Sequence, residues 1–125
     1  MLSGSIEIVS DGSQYGYKYQ LESKSPIEKE EYYKEYWSYI NNLKLNKIVF
    51  ANDKNQIKFT EKVHLEAASY GSFSADKLLF PVNVFNQHSG TVKKIRNRRS
   101  AFEIQRGSYD SDEITISFPT GYVPE

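Results

Sequence analysis

The sequence predicts a mainly β fold, an immunoglobulin-like antiparallel β-sandwich of about seven to eight strands with one α-helix inserted at about residues 26–43. Three observations predict it. The chain has 10 tyrosines and 7 phenylalanines, and aromatic residues favour pleated, half-buried surfaces. Short segments of alternating apolar and polar residues are separated by turn residues. A single stretch combines a helix-start signal with apolar residues at helical spacing.

Composition limits the size and the class of the protein. A chain of 125 residues predicts one domain, residues 1–125, and both ends suggest that this domain is part of a longer protein. The 16 basic and 16 acidic residues cancel, which argues against a nucleic-acid partner. No apolar run is long enough for direct membrane insertion. The absence of cysteine excludes disulfides, thiolate metal sites and a cysteine nucleophile in this chain.

The first element predicted is an antiparallel hairpin. Residues 5–10 alternate, and the turn signal Asp11-Gly12-Ser13 follows them. In residues 15–21 the three tyrosines at odd positions share one strand face with Leu21. This pattern predicts a second strand whose tyrosines pack in the core or between sheets.

The next element is the helix over residues 26–43. Ser25 suits the N-cap, Pro26 suits the first helical position, and Glu28 completes a capping box. One helix face then carries a stripe of large apolar residues: Tyr33, Trp37, Ile40 and Leu43.

The remaining strands follow from period-two alternation, with polar loops between them. They are predicted at residues 47–51, 56–67, 77–86, 101–106 and 113–118. Pro81 makes the third of these an edge strand or a strand broken by a bulge. The small, polar residues 70–75 predict a loop.

Two groups of residues are candidate metal ligands. The two histidines, His64 and His88, lack the convergent partners of a metal site, and His64 is predicted to face solvent. The acidic group Asp110, Asp112 and Glu113 lacks the spacing of a calcium loop, and a turn stabilised by its own carboxylates explains it better. We therefore expect neither a metal nor another cofactor.

A basic segment offers a candidate binding site for phosphate or for an acidic partner. Its residues are Lys93, Lys94, Arg96, Arg98 and Arg99. Zero net charge and the lack of interleaved aromatic residues favour a solvated loop instead.

Exposed tyrosines offer a second candidate site, an aromatic platform for glycans. The candidates for exposure are Tyr32, Tyr39, Tyr70 and Tyr109. Packing explains most of the other tyrosines.

The stretch RRSAFEIQRGSYDSDEITISFPTGYVPE resembles the C-terminal domain of unknown function in transglutaminase-like proteins of Bacteroidetes. The signature positions of that pattern are Arg99, Gly107, Asp110, Asp112, Pro119, Gly121 and Tyr122. The opening strand, the helix and the segment LLFPVNVFN extend the resemblance to nearly the whole chain. In the closing turn we expect Gly121 to take a positive φ and the Tyr122 ring to fold back and pack.

The resemblance implies a non-catalytic accessory domain that supports or orients an adjacent papain-fold, transglutaminase-like core. That core would carry the catalytic cysteine, histidine and aspartate. The resemblance also implies export, to the periplasm, the outer membrane or the medium. The alternative is an independent glycan- or peptide-binding module that uses exposed aromatics or the basic loop at 93–99. No catalytic set in the sequence supports an enzyme.

Overall fold

A three-stranded antiparallel sheet backed by a helix forms the centre of the molecule. The computed structural model describes residues 1–87, 96–101, 103 and 106–124. Its elements, in chain order, are β1 (Leu2–Asp11), α1 (Gly12–Lys18), a 3₁₀ helix (Tyr19–Ser23), α2 (Pro26–Tyr36), β2 (Leu43–Asp53), β3 (Lys58–Ala67), β4 (Ser72–Ser74) and β5 (Lys77–Leu79). The mainly β class is confirmed, with five strands in two antiparallel sheets over the described ranges.

The central strand of the larger sheet is β3, in the order β1–β3–β2. It pairs with β1 from Leu2↔Ala67 onward and with β2 through a bulge between Leu45 and Lys47. One row of β3 side chains is fully buried: Phe59, Glu61, Val63, Leu65 and Ala67. The alternate row, which includes His64, is exposed or half-buried, as the strand period requires.

The predicted N-terminal hairpin is wrong. The first strand exists, but it pairs with β3, and the tyrosine-rich segment that was expected to be its partner is helical. Gly12, at φ +53°, turns the chain directly from β1 into α1. The physical reason for the error is that the spacing of residues 15 and 19 fits both the two-residue period of a strand and the turn of a helix. They lie on one face of a strand, but they also lie four apart, and the Tyr15 and Tyr19 rings stack on the helical segment.

The predicted helix is confirmed, with its start placed correctly and its end too late. The Ser25 hydroxyl accepts a hydrogen bond from the Glu28 backbone, and the Glu28 carboxylate accepts one from the Ser25 backbone at 2.8 Å. The helix ends at Tyr36, and the chain then turns through Asn42, at φ +55°. Leu43 could not belong to the helix because it opens β2 opposite Ala67.

The hydrophobic core lies between the helical side and the inner row of β3. Tyr33, Trp37 and Ile40 contribute from α2 and the turn after it, and they pack with Val63 and Leu65. The Trp37 indole N–H donates to the backbone oxygen of Phe85 at 3.1 Å, which fixes the later chain beside the helix. The stripe predicted from helical spacing is thus a core stripe, although its last members lie beyond the helix.

A small two-stranded sheet lies where two further predictions are wrong. The expected loop at 70–75 contains β4, and the expected strand at 77–86 is limited to β5, which pairs with β4. Pro81 cannot donate a backbone hydrogen bond, and the strand ends two residues before it. Gly71, at φ +81°, lies where an added Cβ would be 2.8 Å from the Leu79 backbone oxygen.

The C-terminal segment was predicted to form two strands. Phe102 and Ile104, the apolar positions of the first, lie outside the described residues, so that strand stays a prediction. Residues 113–118 have no regular secondary structure, contrary to the prediction, because no strand among the described residues pairs with them. The segment is held by side chains instead: Gln14 donates to Asp110 at 2.8 Å, and Asn86 donates to Asp112 at 2.7 Å.

We expect Gly71→Ala to lower the free energy of unfolding by about 1–2 kcal/mol, because a side chain is strained at positive φ and would meet the Leu79 oxygen. Urea denaturation measures this loss. The matched control is Gly107→Ala, since no atom lies within 4 Å of the added Cβ there. Equal effects of the two substitutions would contradict the close approach at Gly71.

Candidate functional site

A buried polar cluster joins α1, α2 and β3. Glu61 has no exposed surface although it lies in the apolar row of β3. The Tyr33 hydroxyl donates a hydrogen bond to Glu61 Oε1. Lys18 Nζ lies 3.4 Å from Glu61 Oε2, in an ion pair without hydrogen-bond geometry. The cluster therefore satisfies one carboxylate oxygen by a hydrogen bond and the other by charge.

Lys18 is also surrounded by aromatic rings. Its ammonium donates to the Tyr32 hydroxyl at 3.2 Å and lies 5.3 Å from the centre of the Tyr36 ring. Burial by itself lowers the pKa of Lys18, but Glu61, Tyr32 and Tyr36 together outweigh it, so the pKa rises above its ordinary value of 10.5. Lys18 is thus a charged group at neutral pH.

Tyr33 keeps its proton over the same range. Burial, followed by the hydrogen bond to Glu61 and the charge of that carboxylate, raises the pKa of the Tyr33 hydroxyl far above its usual value of 10. A protonated tyrosine and a charged lysine that both face one buried carboxylate form a fixed polar contact. Neither Lys18 nor Tyr33 would act as a base near neutral pH, because both keep their protons there.

Sequence reasoning missed this cluster, although one signal was present. Glu61 lies in phase with Phe59 and Val63, so the alternation of side chains along β3 places a carboxylate on the core side. A buried carboxylate requires a partner, which predicts a cation or a hydroxyl nearby. The sequence could not identify Lys18 as that cation, because the segment that contains it was expected to be a strand.

The surface also carries an open groove of about 690 Å³. One side is formed by the segment from α1 through the 3₁₀ helix, and the other by the end of β2 and the turn after it. Its lining residues are Tyr15, Tyr19, Gln20, Glu22, Ser23, Asn52 and Lys54. The Tyr15 and Tyr19 rings are nearly parallel, with centroids 5.5 Å apart, and they form an aromatic wall.

Hydrogen bonds fix the polar part of the groove. The Tyr15 hydroxyl donates to Asn52 Oδ1 at 2.9 Å, and Asn52 Nδ2 donates to Glu22 Oε2 at 2.8 Å. Because a carboxylate only accepts, the amide must present its nitrogen to Glu22 and its oxygen to Tyr15. The turn that positions Lys54 is held by the Asp53 carboxylate, which accepts from the Asn55 and Gln56 backbones at 3.0 Å.

The structure describes part of the set of site residues expected from the sequence. Arg96, Arg98 and Arg99 are exposed, and Lys93 and Lys94 lie outside the described residues. The half-buried Tyr70 donates its hydroxyl hydrogen to the Pro81 backbone oxygen, while Tyr109 is exposed. No ring contact among the described residues joins Tyr70 to Tyr109. The basic segment and the tyrosine platform therefore stay predictions.

The structure describes all but one of the candidate metal ligands. His64 faces solvent on β3, as predicted, and His88 lies outside the described residues. Asp110 and Asp112 each accept a hydrogen bond from a side-chain amide of another part of the fold. Within the described ranges, no group of three or more histidine and carboxylate side chains could hold a metal ion.

The signature at the C-terminus forms the expected turn. Gly121 has φ +97°, as predicted, and the Tyr122 backbone N–H donates to the Pro119 oxygen at 3.2 Å. The predicted packing of the Tyr122 ring is only partial, since 37% of the residue is exposed. These residues shape the backbone and present no reactive group.

Comparisons with protein-family models, with curated proteins and with solved structures gave no match. Across the part of the chain that the structure describes, no helix is long and apolar enough to cross a membrane.

Removing Lys18 should destabilise the protein strongly because it leaves Glu61 buried without its cation. For Lys18→Met we expect a loss of about 3–5 kcal/mol in the free energy of unfolding. The triple variant Lys18→Met/Glu61→Leu/Tyr33→Phe removes every polar member of the contact. We expect its stability to lie within about 1 kcal/mol of the wild type, as measured by urea denaturation.

The matched control is Lys62→Met, because Lys62 forms an ion pair with Glu7 at 2.9 Å on the exposed face of the same strand. Its loss should be about 0–1 kcal/mol. Additive losses across the buried variants would contradict a coupled cluster.

Proposed function

We propose that this chain is a non-catalytic accessory domain of an exported, transglutaminase-like bacterial protein. In this role it supports or orients an adjacent papain-fold core of the same polypeptide. The observation that carries the proposal is an exposed apolar surface on the small sheet and the C-terminal segment. We call it the docking surface, and its members are Phe73, Val82, Ile114, Ile116 and Phe118.

The small sheet supports this proposal because apolar side chains are exposed on both of its faces. Phe73 is 72% exposed and Leu79 is 54% exposed, and the strand register places them on opposite faces of the two-stranded sheet. Two-stranded sheets are marginally stable in water unless another layer packs on them. Exposed apolar side chains on such an element favour a protein partner.

The C-terminal segment extends the docking surface. Ile114, Ile116 and Phe118 alternate as in a strand and are each at least 37% exposed. The Phe118 ring lies 5.9 Å from the Phe80 ring, which brings the segment next to the small sheet. We propose that residues 101–106 and 113–118 pair as strands when the core docks, which would complete an immunoglobulin-like sandwich of about seven to eight strands.

The non-catalytic part of the proposal rests on the chemistry of the polar groups. The buried carboxylate of Glu61 is committed to Tyr33 and Lys18. The chain contains no cysteine, so the nucleophile of a papain-fold core would belong to another domain. Export to the periplasm, the outer membrane or the medium is part of the same proposal.

The test is an NMR titration of the labelled chain with the separately expressed remainder of its parent polypeptide. We expect shift changes and new amide protection at residues 72–82 and 113–118. Phe73→Ser should weaken binding about tenfold or more, because a large apolar side chain at the centre of an interface carries much of the binding energy.

Val9→Ser is the matched control. Val9 is exposed on β1, on the face of the larger sheet opposite α2, and its replacement should leave the affinity unchanged. A parent without a cysteine–histidine–aspartate core would overturn the proposal. Shift changes confined to the polar face of the larger sheet would overturn the assigned docking surface.

A further inference from the structure

We propose that the groove between the 3₁₀ helix and the end of β2 binds a neutral oligosaccharide. The site is independent of the docking surface and of the accessory role. It rests on an aromatic wall, a preset hydrogen-bonding network and balanced charge, all on one concave surface.

The aromatic wall is not accounted for by core packing. Tyr19 is 43% exposed, and its only ring contact among the described residues is with Tyr15. The core cluster around Tyr33 and Trp37 includes neither ring. An i, i+4 tyrosine pair adds only a few tenths of a kcal/mol to a surface helix, so helix stability alone is a weak reason for the exposed Tyr19 ring. A flat aromatic face fits the C–H face of a pyranose, which is the apolar side of a sugar.

The polar groups beside the wall complement the hydroxyl groups of a sugar. Glu22 uses one carboxylate oxygen for Asn52 and keeps the other as an acceptor. Gln20 provides an amide that can both donate and accept, and Lys54 provides a donor on the opposite side. A sugar hydroxyl is both donor and acceptor, so this mixture matches it better than it matches an anion or a purely apolar ligand.

The hydrogen bonds that fix these groups lower the conformational entropy that is lost on binding. Asn52 is held between Tyr15 and Glu22, so the amide orientation is set before a ligand arrives. The Ser23 hydroxyl donates to the Gln20 backbone oxygen at 2.9 Å and fixes the turn that carries Gln20. Rigid polar groups lose little conformational entropy on binding, which favours recognition of a flexible, solvated ligand.

Charge and shape select the class of ligand. Glu22 and Lys54 cancel, so the groove has no net charge to attract phosphate or a polycation. Its volume of about 690 Å³ lies in the range of small-molecule sites, but the groove is open rather than enclosed. An open groove admits a ligand that is longer than the site itself, such as an oligosaccharide.

The test is an NMR titration of the full chain with three neutral hexasaccharides: cellohexaose, xylohexaose and laminarihexaose. We expect shift changes at the groove residues with at least one of them. Tyr19→Ala should weaken binding about tenfold or more, because it removes the exposed half of the wall. Asn52→Ala should also weaken binding, since it releases Tyr15 and Glu22 from the network.

Tyr17→Ala is the matched control, because Tyr17 lies on α1 two residues before Tyr19, is 77% exposed and does not line the groove. It should leave the affinity unchanged. Three outcomes would overturn the proposal: no shift at saccharide concentrations of about 10 mM, equal losses from Tyr17→Ala and Tyr19→Ala, or shifts in the groove with an unstructured peptide library but with no saccharide.

Discussion

The structure depends on the pairing of one buried carboxylate. Glu61 interrupts the apolar row of the central strand, and its desolvation would destabilise the fold if no partner came with it. Tyr33 from α2 and Lys18 from α1 supply the hydrogen bond and the charge. Three separate elements therefore have to meet at one point.

This constraint also places the groove. Lys18 is the last residue of α1, and Tyr19 begins the 3₁₀ helix directly after it. When the ammonium is fixed against Glu61, the neighbouring segment lies against the end of β2, where Tyr15 meets Asn52. A buried ion pair adds little net stability compared with an apolar contact, so its main contribution here is to specify one arrangement of the helices on the sheet.

The sequence predicted the features that depend on local chemistry. The capping box at Ser25 and Glu28, the positive φ of Gly121 and the exposure of His64 each follow from neighbouring residues.

Features decided by tertiary contacts were not predicted. The tyrosine-rich segment satisfies both the strand period and the helical spacing, and the pairing of β1 with β3 removes the partner that a hairpin needs. The end of α2 was missed because Leu43 fits a helical stripe as well as it fits the strand opposite Ala67. The groove was missed for the same reason, since its wall is visible only when residues 15 and 19 are placed on a helix.

The most direct test of this account is the titration of Lys18, followed by NMR of its side chain in the wild type and in Glu61→Gln. The account predicts that the pKa of Lys18 lies above 10.5 in the wild type, because Glu61, Tyr32 and Tyr36 together outweigh burial. In the variant the carboxylate charge is lost while burial remains, so the pKa should fall below its wild-type value. An identical Lys18 titration in the two proteins would contradict the buried pair on which the arrangement of helices and sheet rests.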